Sequence, residues 1–326
     1  MRTRFLILLF LFGTVIIKAQ ELYPNTQPAS SVPKGALGVR VYDKSYQDIT
    51  ILRTLNVLNL MYGLTSKLSI YGSISMSNHH SINFPANLAF HTHNGSQSVF
   101  GSGSITRGLQ YPTIYNGVNL YAKYRFLTLD GDSRHFRMAA YGEWSNINVA
   151  HDEAEPNLLD DTKGIGAGLI ATGLIKHFAA TLSSGIILPG KYNGFSPDIY
   201  GGPMVPTQLQ YGRALTYNLS LGYLLYPAHY ADYKQLNVNV YVEFMGKAYE
   251  QAKIIQYGIV DVPIQTPLLK AGYYLDVTPG VQAIINSNLR IDFSTGFQCI
   301  NKSYAHFYPV YMFGIQRYFY FKNKKK

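Results

Sequence analysis

Residues 68–77 read LSIYGSISMS: every second position is apolar or glycine, and the positions between are serine except for Tyr71. Side chains of a β-strand point alternately to opposite faces, so this period-two pattern predicts a strand with one apolar and one polar face. The same alternation recurs at 116–128 and 235–248 and defines the rest of the chain.

Twelve segments carry this pattern, and most are long. They cover 36–44, 53–65, 67–78, 116–128, 134–147, 163–176, 178–188, 210–226, 235–248, 271–286, 289–299 and 307–321. Strands of soluble proteins usually have about 5–6 residues, whereas a tilted strand needs about 9–11 to cross a bilayer. The segment lengths therefore favour membrane-spanning strands.

The connections alternate in length along the chain. Short ones follow the second, fourth, sixth, eighth and tenth segments, and long ones lie at 79–115, 148–162, 189–209 and 249–270. This is typical of a transmembrane up-and-down barrel, with turns on one side and loops on the other. The prediction is an all-β, antiparallel barrel of about twelve strands. A soluble β-sandwich or lipocalin-like fold is the alternative, although it gives no reason for the alternation of connection lengths.

Composition agrees with this fold and excludes several function classes. Charged residues make up 14% of the chain, against about 25% in soluble domains, and there are 28 Tyr, 17 Phe and 29 Gly. The single Cys299 excludes an internal disulfide framework. The formal net charge is +10, but much of it lies at the two ends of the chain, so it does not indicate nucleic-acid binding.

The first residues have the features of a secretory signal peptide. Arg2 and Arg4 precede an apolar run from Phe5 to Ile17, and a plausible cleavage site follows at Lys18-Ala19-Gln20. We expect residues 1–19 to be removed. Residues 20–326 then form one barrel domain with a basic tail at 322–326.

With this leader, the alternation, the loop asymmetry and the aromatic last strand 311–321, the chain resembles bacterial outer-membrane β-barrel proteins. It looks more distantly like medium-sized barrels described as transporters of small compounds. The resemblance implies the outer membrane of a Gram-negative bacterium, turns in the periplasm and loops outside. It also implies contact with outer-membrane lipids and lipopolysaccharide, and insertion by the barrel-insertion machinery through the aromatic end at Phe321. The basic tail beyond Phe321 departs from that pattern.

If the apolar face contacts lipid, the opposite face lines a lumen. Its charged residues are the candidate lumen and selectivity residues: Arg40, Lys123, Arg125, Arg137, Glu143, Glu243, Asp276, Arg290 and Asp292. Two interpretations stay open, since twelve strands lie between the filled eight-stranded barrels and the open porins. Either these charges pair across a filled lumen, or they line a narrow aqueous path for a small solute, with Lys123, Arg125 and Arg137 favouring anions near the periplasmic end.

We therefore expect a passive channel or transporter with a charged, tyrosine-lined lumen. The long 79–115 loop is expected to fold inward as a constriction or plug. The alternative is a non-conducting barrel that binds metal or acts as a structural or adhesion scaffold.

Histidines are dense in the long loops. His79, His80, His91 and His93 lie in one loop, with His151 and Asp152 in the next. Neutral imidazole is a common ligand of divalent transition metals, so these residues are candidate ligands of a divalent metal at the loops, although histidine is also ordinary polar loop filler. The acidic stretch 152–161 indicates a solvated face, or one that divalent cations bridge to lipopolysaccharide.

A barrel phospholipase is the hydrolase alternative. Barrel phospholipases use a His and a Ser two residues apart, and His79 and Ser81 have this spacing with Asn83 and Asn94 nearby. The sequence offers no partner to orient the base, so the chain is expected not to be an enzyme.

Overall fold

The protein is described from a computed structural model, which covers residues 23–48, 51–78, 112–147, 149, 154–198, 203–228, 234–261, 269–303 and 308–321. Twelve strands form a closed barrel. They are β1 (Ala36–Asp48), β2 (Ile51–Gly63), β3 (Leu68–Ser77), β4 (Ile114–Asp130), β5 (Arg134–Ser145), β6 (Gly164–Ile175), β7 (Phe178–Pro189), β10 (Ala214–Tyr226), β11 (Asn237–Tyr249), β14 (Gly272–Ile285), β15 (Leu289–Asn301) and β16 (Val310–Tyr320).

The barrel closes through its first and last strands. β1 pairs antiparallel with β16, from Ala36 opposite Tyr320 to Tyr46 opposite Val310. Every barrel strand therefore has two neighbours, which satisfies the backbone hydrogen bonds that lipid cannot satisfy. We call the end that carries the 64–67, 131–133, 176–177 and 286–288 connections the turn end, and the opposite end the loop end.

The two faces of the wall differ as the alternation predicts. On β7 the outward Phe178, Leu182 and Ile186 are exposed, whereas the inward Ala179 and Thr181 are buried. On β3 the inward Ser69, Ser73, Ser75 and Ser77 are all buried. The outer surface is thus an apolar belt and the inner surface is polar, the inverse of a soluble protein.

A second sheet extends two hairpins beyond the loop end. Its strands are β8 (Lys191–Pro197), β9 (Met204–Gln210), β12 (Lys253–Gln256) and β13 (Ile259–Asp261), in the order β13-β12-β9-β8. β8 continues closely after β7 and β12 closely after β11. The sheet buries Tyr192, Leu209 and Ile254 on one face.

The predicted fold is confirmed. Each of the twelve predicted segments corresponds to one barrel strand, with ends that differ by a few residues. The connections 189–209 and 249–270, expected as loops, instead carry the hairpins of the second sheet. In the described residues, no helix has the length and apolar character needed to span a membrane.

The outward apolar face predicts a specific response to charge. Leu182, 58% exposed on the outer face of β7, should tolerate Leu182→Ala. In contrast, Leu182→Arg should lower the free energy of unfolding in bilayers by about 2–4 kcal/mol, because an arginine near the bilayer midplane is costly. Urea titration of protein refolded in lipid vesicles measures both. Equal losses in the two variants would show that this face does not contact lipid.

Candidate functional site: a segment that crosses the lumen

An extended segment before β1 lies inside the barrel. Residues 23–35, which we call the strap, contain prolines at positions 24, 28 and 33. Proline keeps the chain extended and has no backbone N–H to donate, so such a segment cannot satisfy itself as a helix or hairpin. Its remaining polar groups find partners on the inner wall, mostly in the half of the barrel near the turn end.

Glu243 is the principal acceptor for the strap. Its carboxylate, fully buried on β11, accepts the backbone N–H of Thr26 at 2.7 Å and that of Asn25 at 3.2 Å. It also accepts the Asn25 side-chain amide at 2.8 Å. Ser220 on β10 adds a hydroxyl contact of 2.8 Å between its Oγ and Thr26 Oγ1. A charged acceptor makes these hydrogen bonds stronger than neutral ones.

Three cations of the wall donate to the strap. Lys123 Nζ reaches Pro28 O at 2.6 Å, Arg40 Nη1 reaches Pro24 O at 2.7 Å, and Arg137 Nη1 reaches Ser30 Oγ at 3.2 Å. Lys123 is fully buried. The strap therefore shields from solvent some of the charges that the sequence predicts as lumen residues.

Hydroxyl groups of the wall accept hydrogen bonds from two further backbone N–H groups of the strap. Ala29 N donates to Thr172 Oγ1 and Val32 N to Ser69 Oγ, both at 2.9 Å. These hydrogen bonds join strap backbone to wall side chains, not to wall backbone. Residues 23–32 of the strap are thus docked on the lumen surface through wall side chains, and the strap joins the wall backbone at its last residues, where Lys34 forms an isolated bridge with Gly63 and Gly35 N donates to Gly63 O at 2.8 Å.

Apolar contacts hold both ends of the strap. Tyr23 packs against Ala179 and Tyr241, and Val32 packs in a cluster with Met61 and Tyr318. At the exit into β1, a Cβ on Gly63 would overlap the backbone of Pro33. Glycine is therefore required at position 63 for this close approach.

A second segment covers part of the loop end. Residues 154–162, which we call the cap, are attached by an ion pair of 2.7 Å between Lys247 Nζ and Glu155 Oε1, with both side chains about one-tenth exposed. Lys247 also donates to Pro156 O at 2.9 Å, and Asn119 Nδ2 donates to Leu158 O at 3.3 Å. Leu158 packs in an apolar cluster with the second sheet.

The cap corrects one sequence interpretation. The acidic stretch 152–161 was expected to be a solvated face, but Glu155 and Asp161 are buried. Burial and the neighbouring Asp160 carboxylate hold the pKa of Asp161 well above its usual range. The alternation of strand residues does not predict this burial, because Lys247 lies 92 residues from Glu155 in sequence.

The other predicted lumen residues lie on the inner face. Asp292 accepts Gln282 Nε2 at 2.7 Å and lies 3.7 Å from Arg40 Nη2, while Arg290 is buried beside the Tyr318 ring. Asp276 accepts the Tyr308 hydroxyl. Two more have the same inward parity: Glu143 on β5 packs against Gly166, and Arg125 on β4 donates to Ser66 O at the turn end. Their role in selectivity stays a prediction.

Three tyrosines on neighbouring strands, which we call the tyrosine wall, contact one another. Tyr121 lies stacked on Tyr141 with ring centroids 5.0 Å apart and meets Tyr71 edge-on at 5.3 Å. Lys123 Nζ lies 5.5 Å from the Tyr71 ring centroid. This wall spans the inner faces of β3, β4 and β5.

Sequence reasoning missed Lys44. It shares the inward parity of β1 with the buried Arg40 and Tyr42. Its ammonium is buried, and the charges of Glu243, Arg40, Lys247 and Asp276 act on it, but it has no hydrogen bond or ion pair with any residue that the structure describes. Extending the β1 alternation by one step from Tyr42 would have placed Lys44 in the lumen.

The remaining candidates lie outside the described residues. These are the proposed metal ligands His79, His80, His91, His93, His151 and Asp152, the hydrolase residue Ser81, and most of the 79–115 loop. Within the ranges given above, no three His, Cys, Asp or Glu side chains are grouped as a metal site would require.

Comparisons with known proteins support the fold. No family model and no curated protein match the chain. It is similar to an outer-membrane channel from Pseudomonas putida F1, with 12% identity, coverage of 92% of this chain and 100% of that one, and a TM-score of 0.57. The NanC porin gives 8% identity, coverage of 88% and 100%, and a TM-score of 0.40. The chain has the fold of an outer-membrane β-barrel protein.

The attachment of the cap can be tested through Lys247. Lys247→Ala removes the ammonium that pairs with the buried Glu155 carboxylate, and breaking such a buried ion pair typically costs about 3–5 kcal/mol, so we expect the cap to open locally. Hydrogen exchange of the 154–162 amides should accelerate about a hundredfold. Arg213→Ala, which removes a solvent-exposed ion pair with Glu250, is the control and should change little. Unchanged exchange in Lys247→Ala would contradict this attachment.

Proposed function

We propose that this chain is a passive outer-membrane channel for small solutes, gated by the strap. The observation that carries the proposal is that a separate segment lies in the lumen beside the inward side chains of the wall. A barrel filled for rigidity needs only its own inward side chains, as in small barrels. Here residues 23–32 of the strap are bound through wall side chains, and they can leave without breaking the pairing of any two barrel strands.

The proposed location is the outer membrane of a Gram-negative cell. The apolar outer belt and the likeness in fold to a known outer-membrane channel support it. In this setting the turn end faces the periplasm, so the strap gates the periplasmic half and the cap narrows the external mouth. Export through a cleaved leader at 1–19 and insertion by the barrel-insertion machinery are part of the same proposal.

The charges favour anionic solutes in the open state. Release of the strap takes its oxygens away from Arg40, Lys123 and Arg137 and its N–H groups away from Glu243. On the wall, Arg40 keeps the Asp292 carboxylate at 3.7 Å and Arg137 keeps that of Asp130 at 2.7 Å. The ammonium groups of Lys123 and Lys44 then act on the passage, and since fields in a narrow, low-dielectric passage are concentrated, they raise the local concentration of small anions. The tyrosine wall offers them a polarisable surface.

Gating by the strap is tested by a disulfide. Thr26 Oγ1 and Ser220 Oγ lie 2.8 Å apart, so Thr26→Cys with Ser220→Cys, in a Cys299→Ser background, places two thiols within bonding reach. In planar bilayers, oxidation should abolish conductance steps and reduction should restore them. The matched control is Thr26→Cys with Ser183→Cys, since Ser183 lies on β7 and bonds to Asn218 instead. Gating by the strap would be contradicted if oxidation of the Thr26–Ser220 pair left the conductance unchanged. A reduced protein that never conducts would favour the non-conducting scaffold.

Anion selectivity is tested at Lys44. Lys44→Gln should reduce the ratio of anion to cation permeability several-fold, because it removes a lumen charge that has no ion pair among the described residues. Reversal potentials across a KCl gradient measure this ratio. Lys302→Gln, an exposed lysine after β15, serves as the control. An unaltered reversal potential in Lys44→Gln would exclude it from the solute path.

A further inference from the structure

A basic cluster lies on the outer surface at the loop end. Lys191 on β8 is opposite Gln210 on β9, and Gln210 is opposite Lys253 on β12. Residues opposite each other on neighbouring strands share a face, so the two exposed lysines flank Gln210, about 10 Å apart across two strand spacings. Tyr192 and Ile254, the residues that follow them, are buried, so both lysines lie on the outward face.

Two further cations lie beside this row. The stem of Lys163 packs over Gly190, and Lys163 O accepts Gly190 N at 2.7 Å, next to Lys191. Arg213, between β9 and β10, pairs with Glu250 at 3.0 Å while both side chains remain more than half exposed. The cluster thus holds four cations and one carboxylate.

The wall directly below the cluster is apolar. Leu188 on β7, Leu215 on β10 and Ile165 on β6 are 40%, 50% and 52% exposed on the outer face, each within three residues of a cluster cation along its chain. A ligand that lies across both surfaces must carry anionic groups at the top and long apolar chains underneath. Phosphates suit lysine and arginine donors, and acyl chains suit the apolar wall.

We propose that this cluster, formed by Lys163, Lys191, Arg213 and Lys253, binds the phosphates of a phosphorylated glycolipid in the outer leaflet. The inference rests on the proposed membrane location, but not on conduction. Bound lipid holds the outward face of the second sheet against the membrane surface. Salt weakens the binding, because the charges are exposed.

The test is native mass spectrometry of the full chain in detergent, titrated with bisphosphorylated lipid A. Lys191→Gln with Lys253→Gln should weaken binding about tenfold or more, since each surface cation contributes substantially to anionic-lipid binding. The matched control is Lys270→Gln with Lys302→Gln, two exposed loop-end lysines outside the cluster, which should bind like the unaltered protein.

Titrations with other ligands test whether binding requires the phosphates of the glycolipid. Dephosphorylated lipid A should bind more weakly, whereas phosphatidylglycerol and inorganic phosphate should not compete at equal phosphate concentration. Equal loss in the two double variants, or equal affinity for phosphatidylglycerol, would overturn the proposed glycolipid site. Conductance of the Lys191–Lys253 variant should be unaltered, so failure of the lipid site and failure of the channel proposal are distinguishable.

Discussion

The position of the strap in the lumen depends on the hydrogen bonds that the Glu243 carboxylate accepts from it. A buried charge is costly unless hydrogen bonds replace its water, and here the strap supplies them through two backbone N–H groups and one amide. The dependence is mutual, because Asn25 and Thr26 would otherwise have unsatisfied amides in the lumen. One contact therefore accounts both for a carboxylate in the barrel interior and for the position of a segment that precedes the first strand.

The wall cations follow the same physical rule. Lys123 is fully buried, and its ammonium donates to the carbonyl of Pro28, an oxygen of the strap. Proline carbonyls are available acceptors in an extended segment that forms no ladder of its own. At the other end, Lys247 and Glu155 hold the cap in the same way, with a charge from the wall and a charge from the inserted segment. Both inserted segments thus supply hydrogen-bond partners to charged side chains of the barrel wall.

The sequence predicts the wall well because strand alternation is local. Each strand pairs with a neighbour, and the side on which Arg40, Lys123 or Glu243 points follows from parity along its own strand. The strap and its partners are not predictable in this way, since Asn25 and Glu243 are 218 residues apart and no periodicity links them. Burial of Glu155 was missed for the same reason, as its partner Lys247 lies 92 residues away. The second sheet was missed because its strands are short and Pro206 interrupts β9, which reads as a loop.

The central claim is that the strap, and not the wall, closes the lumen. It is tested most directly by single-channel recording of the refolded chain from residue 20 onward, beside the same chain that lacks residues 23–33. If the strap closes the lumen, the chain with the strap should show rare, brief openings, and the chain without it should show sustained, anion-preferring conductance. A heat-dependent shift in gel mobility should show that both proteins are folded barrels. A strap-free barrel that folds but stays electrically silent would contradict the claim and would show that the wall side chains themselves fill the lumen.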